Sequence, residues 1–269
     1  MKKIFILILF IFIILFLLTV IYLDKDNKEL KKNIYQDISF YKEVNLDRYN
    51  LYKEKYPNLK SIDIVTRVNL NLDKKDYTDV FESPFLDNTF ILVNKHIYLP
   101  ESYIPNDLVK INPKYTVSDK YLVKETNIWL EKMINDIIKD NLNIRIISAY
   151  RSYSYQKDLY NRYVEKDGIE IADTYSARPG YSEHQTGLVI DIDNGITNYE
   201  QFEITKEYKW MIDNSYKYGY ILRYPKNKED ITGYKYESWH YRYVGKDIAK
   251  YIYDNSITFD EYYARFIQK

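Results

Sequence analysis

The stretch Ser182-Glu183-His184-Gln185-Thr186-Gly187-Leu188-Val189-Ile190-Asp191 holds a histidine and a carboxylate seven residues apart, across a glycine turn and the start of a strand. A second stretch, Glu237-Ser238-Trp239-His240, holds a carboxylate three residues before another histidine. The chain has three histidines in all and no cysteine. Any bound metal must then be held by His, Asp and Glu, which suits an open catalytic site better than a closed structural zinc knot. His184, Asp191 and His240 offer two imidazoles and one carboxylate. Three protein ligands leave the fourth position of one zinc ion (Zn2+) for water. Zinc lowers the pKa of that water to roughly 7 and polarises a carbonyl. Glu237 is then the candidate base that takes the water's proton and passes it to a leaving amine.

Each motif alone has a plainer reading. A His–Asp pair often makes only a hydrogen bond, and Glu-x-x-His recurs by chance and on the helices of di-iron bundles. The aromatic, β-rich surroundings of His240 disfavour a helix there. It is the joint occurrence of both motifs, in a chain with so few histidines, that favours a metal-dependent hydrolase. His96, in Asn94-Lys95-His96-Ile97-Tyr98, stands apart and reads as structural or surface. Arg151 closes Ser148-Ala149-Tyr150-Arg151 at the end of a strand. Its planar fork suits a carboxylate, which a peptidase removing one terminal residue must hold. A surface salt bridge is the alternative. Ser182 and Gln156 can add hydrogen bonds, and capping roles fit them equally.

These side chains need a scaffold. Residues 117 to 140 carry Leu130, Met133, Ile134, Ile137 and Ile138 at helical spacing. Ile144 to Ser148 reads as a strand, followed by a helix from Tyr155 to Val164 with Ser154 as its N-cap. Leu188, Ile190 and Ile192 alternate with Val189, Asp191 and Asp193, sending the apolar set to the core and both aspartates to the opposite face. A helix from Lys206 to Lys217 stops at Gly219. Tyr220 to Tyr224 and Glu237 to Val244 read as strands. Two C-terminal helices follow, the last with Thr258 and Glu261 at capping-box spacing. Upstream, the alternation in Val65-Thr66-Arg67-Val68-Asn69-Leu70-Asn71-Leu72 predicts a strand, and Ile91 to Val93 another. Strands in runs between helices, without steady βαβ alternation, predict an α+β domain with an antiparallel sheet.

The N-terminus differs from the rest. Lys2-Lys3 precedes Ile4 through Leu23, where Thr19 is the only non-aromatic polar residue. Such a stretch spans ~30 Å as a helix, the thickness of a bilayer's hydrocarbon core. Leu18-Thr19-Val20-Ile21-Tyr22-Leu23-Asp24 offers no Ala-x-Ala-like cleavage site, so an uncleaved single-pass transmembrane anchor is expected over residues 1–23. Lysines flank both ends, so charge alone does not set the orientation. Large domains are translocated regardless of such counts, which places the body of the chain outside the cell. Residues 24–48 are charged and read as a stalk, 49–79 as a short extension packing on the catalytic domain, and 80–269 as that domain. Lys plus Arg equals Asp plus Glu at 39 each, so no bulk charge draws the chain to nucleic acid. The 32 tyrosines fit AT-rich codon usage and also suit sheets and polar grooves.

Three blocks together resemble the VanY-like D-alanyl-D-alanine carboxypeptidases: Ser148-Ala149-Tyr150-Arg151-Ser152, Ala177 through Gly187, and Glu237 through Gly245. The likeness runs from about residue 75 to the end, with the blocks in order and at the right spacing. It implies a Hedgehog/D,D-peptidase-like fold, a small antiparallel sheet flanked by helices. It implies His184, Asp191 and His240 as zinc ligands and Glu237 as base. Arg151, Gln156 and Ser182 would line the pocket for the terminal carboxylate, with Tyr224 facing it. Ser238 stands where many members have Pro and Val189 where many have Ala; neither position supplies a ligand. The implied activity is removal of the terminal D-alanine from peptidoglycan stem peptides. An L,D-carboxypeptidase acting on tetrapeptide stems is the near alternative, and an inactive wall-binding protein of the same fold the distant one.

Overall fold

The computed structural model describes residues 13–20 and 34–268. Of the expected anchor, residues 13–20 are helical (α1), while residues 1–12 and 21–33 lie outside the described residues, as does the first part of the expected stalk. Among the described residues no helix is long and apolar enough to cross a membrane. The chain divides into two compact units, Met1–Asn69 and Leu70–Lys269.

The first unit contains α2 (Leu46–Lys55) and α3 (Ser61–Asn69). Tyr35, Tyr49, Tyr52, Ile64, Val65 and Val68 form its core. Two expectations change here. The described end of the stalk is folded, because Tyr35 is fully buried against the ring of Tyr49, 5.3 Å between centroids. The strand expected over 65–72 is instead the end of α3. Ile64, Val65 and Val68, at i, i+1 and i+4, fall on one helical face that the helix buries, while the alternation of Val68, Leu70 and Leu72 runs past the helix end. Burial against a second helix overrode the β-branched preference for strand. Asn69 ties the unit together: its Oδ1 accepts from the Tyr49 hydroxyl at 2.7 Å, and its Nδ2 donates to the Phe40 carbonyl at 3.0 Å.

The second unit starts at Leu70, not at residue 80, because Leu70 already belongs to a core shared with Ile97, Ile248 and Phe259. Its centre is a four-stranded, wholly antiparallel sheet in the order β5-β6-β8-β7, with β5 Arg145–Ser148, β6 Val189–Asp193, β7 Tyr220–Leu222 and β8 His240–Tyr243. Two small two-stranded sheets accompany it: a parallel pair, β1 (Phe81–Glu82) with β2 (Ile97–Tyr98), and an antiparallel pair, β3 (Leu108–Lys110) with β4 (Tyr121–Val123). The α+β class and the antiparallel sheet are therefore as the sequence predicts.

One face of the central sheet packs on α4 (Lys124–Lys139). Leu130, Met133, Ile134 and Ile137 meet Ile146, Leu188, Ile190, Ile192, Tyr241 and Tyr243 in a single core cluster. Full burial of each such aliphatic side chain contributes about 1.5–3 kcal/mol. The opposite face carries Asp191 and His240. Local differences have local causes. The helix expected from residue 117 begins at Lys124, since residues 121–123 are held as β4 against β3. Ile91, Leu92 and Val93 are buried but form no strand. Helix α5 (Tyr153–Asp167) is capped by Ser152, whose Oγ accepts from the Tyr155 amide at 3.2 Å, so Ser154 lies inside it. Helix α6 (Ile169–Tyr175) follows. The helix after residue 206 is α7 (Lys206–Asn214), extended by a 3-10 turn to Gly219 at φ 84°. After the short α8 (Glu229–Thr232), the C-terminal helices are α9 (Lys246–Asn255) and α10 (Phe259–Tyr262), with the Thr258–Glu261 capping box formed.

Candidate active site

His184 lies in the 3-10 turn Glu183–Thr186, which ends on Gly187 in the left-handed region at φ 66°. The left-handed backbone favours glycine, and a Cβ on Gly187 would stand a tight 3.0 Å from Leu108 Cδ2 and 3.2 Å from Val123 Cγ2. The turn is held on both sides. The Arg151 amide donates to the His184 carbonyl at 3.1 Å, and the Val123 amide donates to the Gly187 carbonyl at 2.9 Å. His184 Nδ1 lies 2.6 Å from the Ala149 carbonyl oxygen, which can only accept. The proton is therefore on Nδ1, leaving Nε2 as the lone-pair atom. That Nε2 lies 3.2 Å from Asp191 Oδ2.

Sheet register brings the other groups together. Asp191 is paired directly with His240 across β6 and β8, and with Ser148 across β5 and β6 beside a β-bulge. Directly opposed residues have Cβ atoms about 4.5–5.5 Å apart, on the same face. His240 Nδ1 stands 3.1 Å from Asp191 Oδ1 and 3.2 Å from Glu237 Oε2. Strand β8 begins at His240 rather than at Glu237, so Glu237 sits in the turn before it, its amide donating to the Tyr224 carbonyl at 3.1 Å. The two imidazole rings stand nearly perpendicular, 5.1 Å between centroids.

One potential ligand atom each from His184, Asp191 and His240 lie within 4.8 Å of one another, and all three residues are buried. Asp191 Oδ1 is buried without a hydrogen-bond partner among the described residues. Two imidazoles and an unmet carboxylate oxygen converging this closely fit a small divalent cation such as zinc. All the residues singled out from the sequence, Arg151, Gln156, Ser182, His184, Asp191, Tyr224, Glu237 and His240, line one cavity of about 360 Å³.

The VanY profile, D-alanyl-D-alanine carboxypeptidase, matches residues 119–246. YodJ of Bacillus subtilis (strain 168) is 43% identical over 202 residues, covering 72% of this chain and 73% of the relative. The chain belongs to the VanY family. Among solved structures, the LdcB LD-carboxypeptidase matches with a TM-score of 0.66 and 42% identity, over 71% of this chain and 92% of that one. A variant of the vancomycin-resistance D,D-pentapeptidase VanY in complex with Zn(II) matches with a TM-score of 0.56 and 30% identity, over 65% of this chain and 98% of that one.

Within this VanY-family site, Arg151 is not a free fork. It donates to Asp191 Oδ2 at 2.7 Å, to Ser148 Oγ at 2.9 Å and to Gln156 Oε1 at 3.3 Å. Gln156 in turn donates to the Ala177 carbonyl at 2.8 Å. Ser182 is buried at the cavity wall, and the Tyr224 ring lies 4.8 Å from that of His240. His96 is buried and does not line the cavity, with Nδ1 3.2 Å from the Thr78 carbonyl, so it is not a surface residue.

Electrostatics divides the titratable groups. Burial and the nearby Arg151 push His184 down to about 4, so it is a neutral imidazole at pH 7. Burial would raise Asp191, but His184, His240 and Arg151 hold it well below the usual carboxylate range. Burial would lower His240, but Asp191, Glu183 and Glu237 together hold it well above the usual histidine range. Burial raises Glu237, and His240 offsets only part of that. A raised carboxyl accepts a proton more readily, which suits general base and then general acid work.

Sequence reasoning missed Glu183. It is fully buried, and its Oε1 accepts from Arg223 Nε at 2.8 Å and Arg242 Nη1 at 3.0 Å. The signal lay in the arginines. Leu222-Arg223-Tyr224 and Tyr241-Arg242-Tyr243 each set a cation among strand aromatics, where only a buried anion can balance it. Aromatic cavity walls were missed too: Trp239 packs edge-on against Tyr199 with 5.0 Å between centroids, and Tyr163 against Tyr175 with 5.1 Å.

Proposed function

We propose that this chain is a zinc carboxypeptidase that removes the terminal D-alanine from peptidoglycan stem peptides. The observation that carries the reading is the buried His184–Asp191–His240 cluster with Glu237 beside it, in one cavity with Arg151. A bound zinc would lie among those three ligands, polarising the scissile carbonyl and acidifying water. Glu237 Oε2 takes the proton of the attacking water and returns it to the leaving amino group as the C–N bond breaks. Arg151 Nη1, on the longer of its bonds, turns from Gln156 to the substrate's terminal carboxylate. Gln156 and Ser182 flank that carboxylate, and the Tyr224 ring covers one side of it.

Two kinds of stem peptide end in D-alanine. The family description supports cleavage of the D,D bond. The likeness to the LdcB LD-carboxypeptidase, higher in both identity and TM-score than that to the D,D-pentapeptidase, supports cleavage of the L,D bond of tetrapeptide stems. We favour the L,D bond on that difference, with D,D cleavage as the second reading. An inactive wall-binding role would need no complete ligand and base set, and here the set is complete. The apolar run Ile4 through Leu23 supports a single-pass anchor in the cell membrane, with the catalytic unit on the wall side. Protease accessibility on intact cells tests this: the second unit should be degraded, and full protection would contradict it. Mass spectrometry of pentapeptide and tetrapeptide stems after incubation tests the bond choice. Loss of D-alanine from the tetrapeptide is expected, and cleavage of the pentapeptide alone would return the reading to D,D.

A further inference from the structure

His240 Nδ1 faces Asp191 and Glu237, so Nδ1 is the atom that can ligate, and it must do so through a lone pair. A neutral imidazole has one proton, which then has to sit on Nε2. His240 Nε2 is buried and has no hydrogen-bond partner among the described residues. The carboxylate oxygen facing it is Glu183 Oε2, at 3.8 Å, itself buried and also without a hydrogen-bond partner. A buried N–H and a buried carboxylate oxygen left unmet side by side are costly apart and favourable together.

Glu183 is also held so that this oxygen stays turned to His240. Its other oxygen, Oε1, takes both arginine bonds. Arg223 is fixed in turn by Asp260, whose second oxygen accepts from Asn94 at 3.1 Å. Arg242 donates to the Ile91 and Thr89 carbonyls at 2.6 and 3.2 Å. Two arginines and two carboxylates balance in charge within this fully buried cluster. His184 has the same arrangement in a simpler form, its Nδ1 proton fixed by the Ala149 carbonyl.

We propose that Glu183 is a positioning residue that holds the His240 proton on Nε2 and so keeps Nδ1 open for the metal. The Glu183 side chain is fully buried and acts through His240. The inference rests on the reading of His184, Asp191 and His240 as a metal site.

The wild-type chain supplies the first test. With three histidines in all, long-range proton–nitrogen NMR of the zinc-loaded protein resolves His240. The expected result is a proton on His240 Nε2, moved downfield by a hydrogen bond to Glu183, and none on Nδ1. An unprotonated Nε2, or an Nε2 proton without that shift, overturns the inference while leaving the metal site standing. No zinc uptake by the wild type overturns the metal reading and this inference with it. The second test is Glu183→Gln. Its amide nitrogen places a donor against the Nε2 donor and disfavours the ligating tautomer. Zinc affinity, read by chelator competition on protein that still unfolds cooperatively, should fall roughly tenfold to hundredfold, the usual cost of losing such a partner. Wild-type affinity in the folded variant overturns the inference. Should the variant fail to fold, the wild-type spectrum decides alone.

Discussion

Glu237 stands beside His240 and Arg151 beside Asp191, and their substitution should have different consequences. Glu237→Ala removes the proton carrier but no proposed ligand. We expect kcat to fall by about 10²–10⁴-fold while zinc stays bound, read by steady-state kinetics beside metal analysis. Retained turnover would refute the role. Arg151→Ala removes charge-assisted bonds to the substrate carboxylate, about 1.5–3 kcal/mol, or roughly tenfold to hundredfold in kcat/KM. Arg151 also holds Asp191 through Oδ2 and leaves Oδ1 for a cation, so its loss should weaken zinc binding as well. An unchanged kcat/KM would remove Arg151 from the pocket. Acid should act through His240. Its raised pKa means that a proton is held where zinc must bind, so affinity is full above that pKa and is lost as the pH falls through it. Chelator competition over a pH series reads this, and a pH-independent affinity would contradict it. At this scale the reacting residues were legible because their types are scarce: two of three histidines stand next to carboxylates in short motifs. Glu183 was not, because within its own motif it is only a spacer. Its role depends on Arg223, just after β7, and Arg242, in β8, both distant in sequence.

At the scale of elements, the site depends on one turn and one register. The turn carrying His184 is locked by Gly187, and Gly187→Ala should cost about 1–2 kcal/mol for the left-handed backbone alone. We expect a lower denaturation midpoint together with weaker zinc binding, because the same turn aims His184. A wild-type midpoint would show that the turn is not under this constraint. The register Asp191↔His240 cannot slip by one residue without sending Ile190 and Tyr241 out of the core. Strand β6 was readable from Leu188, Ile190 and Ile192 because one face is apolar. The identity of its partner strand was not, since pairing is a long-range choice. Helix α3 was misread for a related reason. Val68 belongs both to the alternating set with Leu70 and Leu72 and to the helical set with Ile64 and Val65, and only packing on α2 decides between them.

On the scale of the whole molecule, the sheet separates two tasks. One face, packed on α4, supplies a hydrophobic core; the other holds a buried, charge-balanced network. Removal of metal by chelator should therefore abolish turnover while leaving the second unit folded, since its core does not depend on the ligands. Circular dichroism beside the assay reads both, and loss of the fold on chelation would contradict this. The class and the strand pattern of this unit were visible in the sequence because its elements each carry one clear period. The boundary at Leu70 was not visible, because it depends on which core a single leucine joins. The central claim is metal-dependent release of a terminal D-alanine, and incubating the full chain with tetrapeptide and pentapeptide stems, with and without chelator, tests it most directly. The account predicts free D-alanine and a stem shortened by one residue, lost with chelator, restored by zinc and absent in Glu237→Ala. Undiminished cleavage in chelator, or no cleavage of either stem by the zinc-loaded chain, would contradict it.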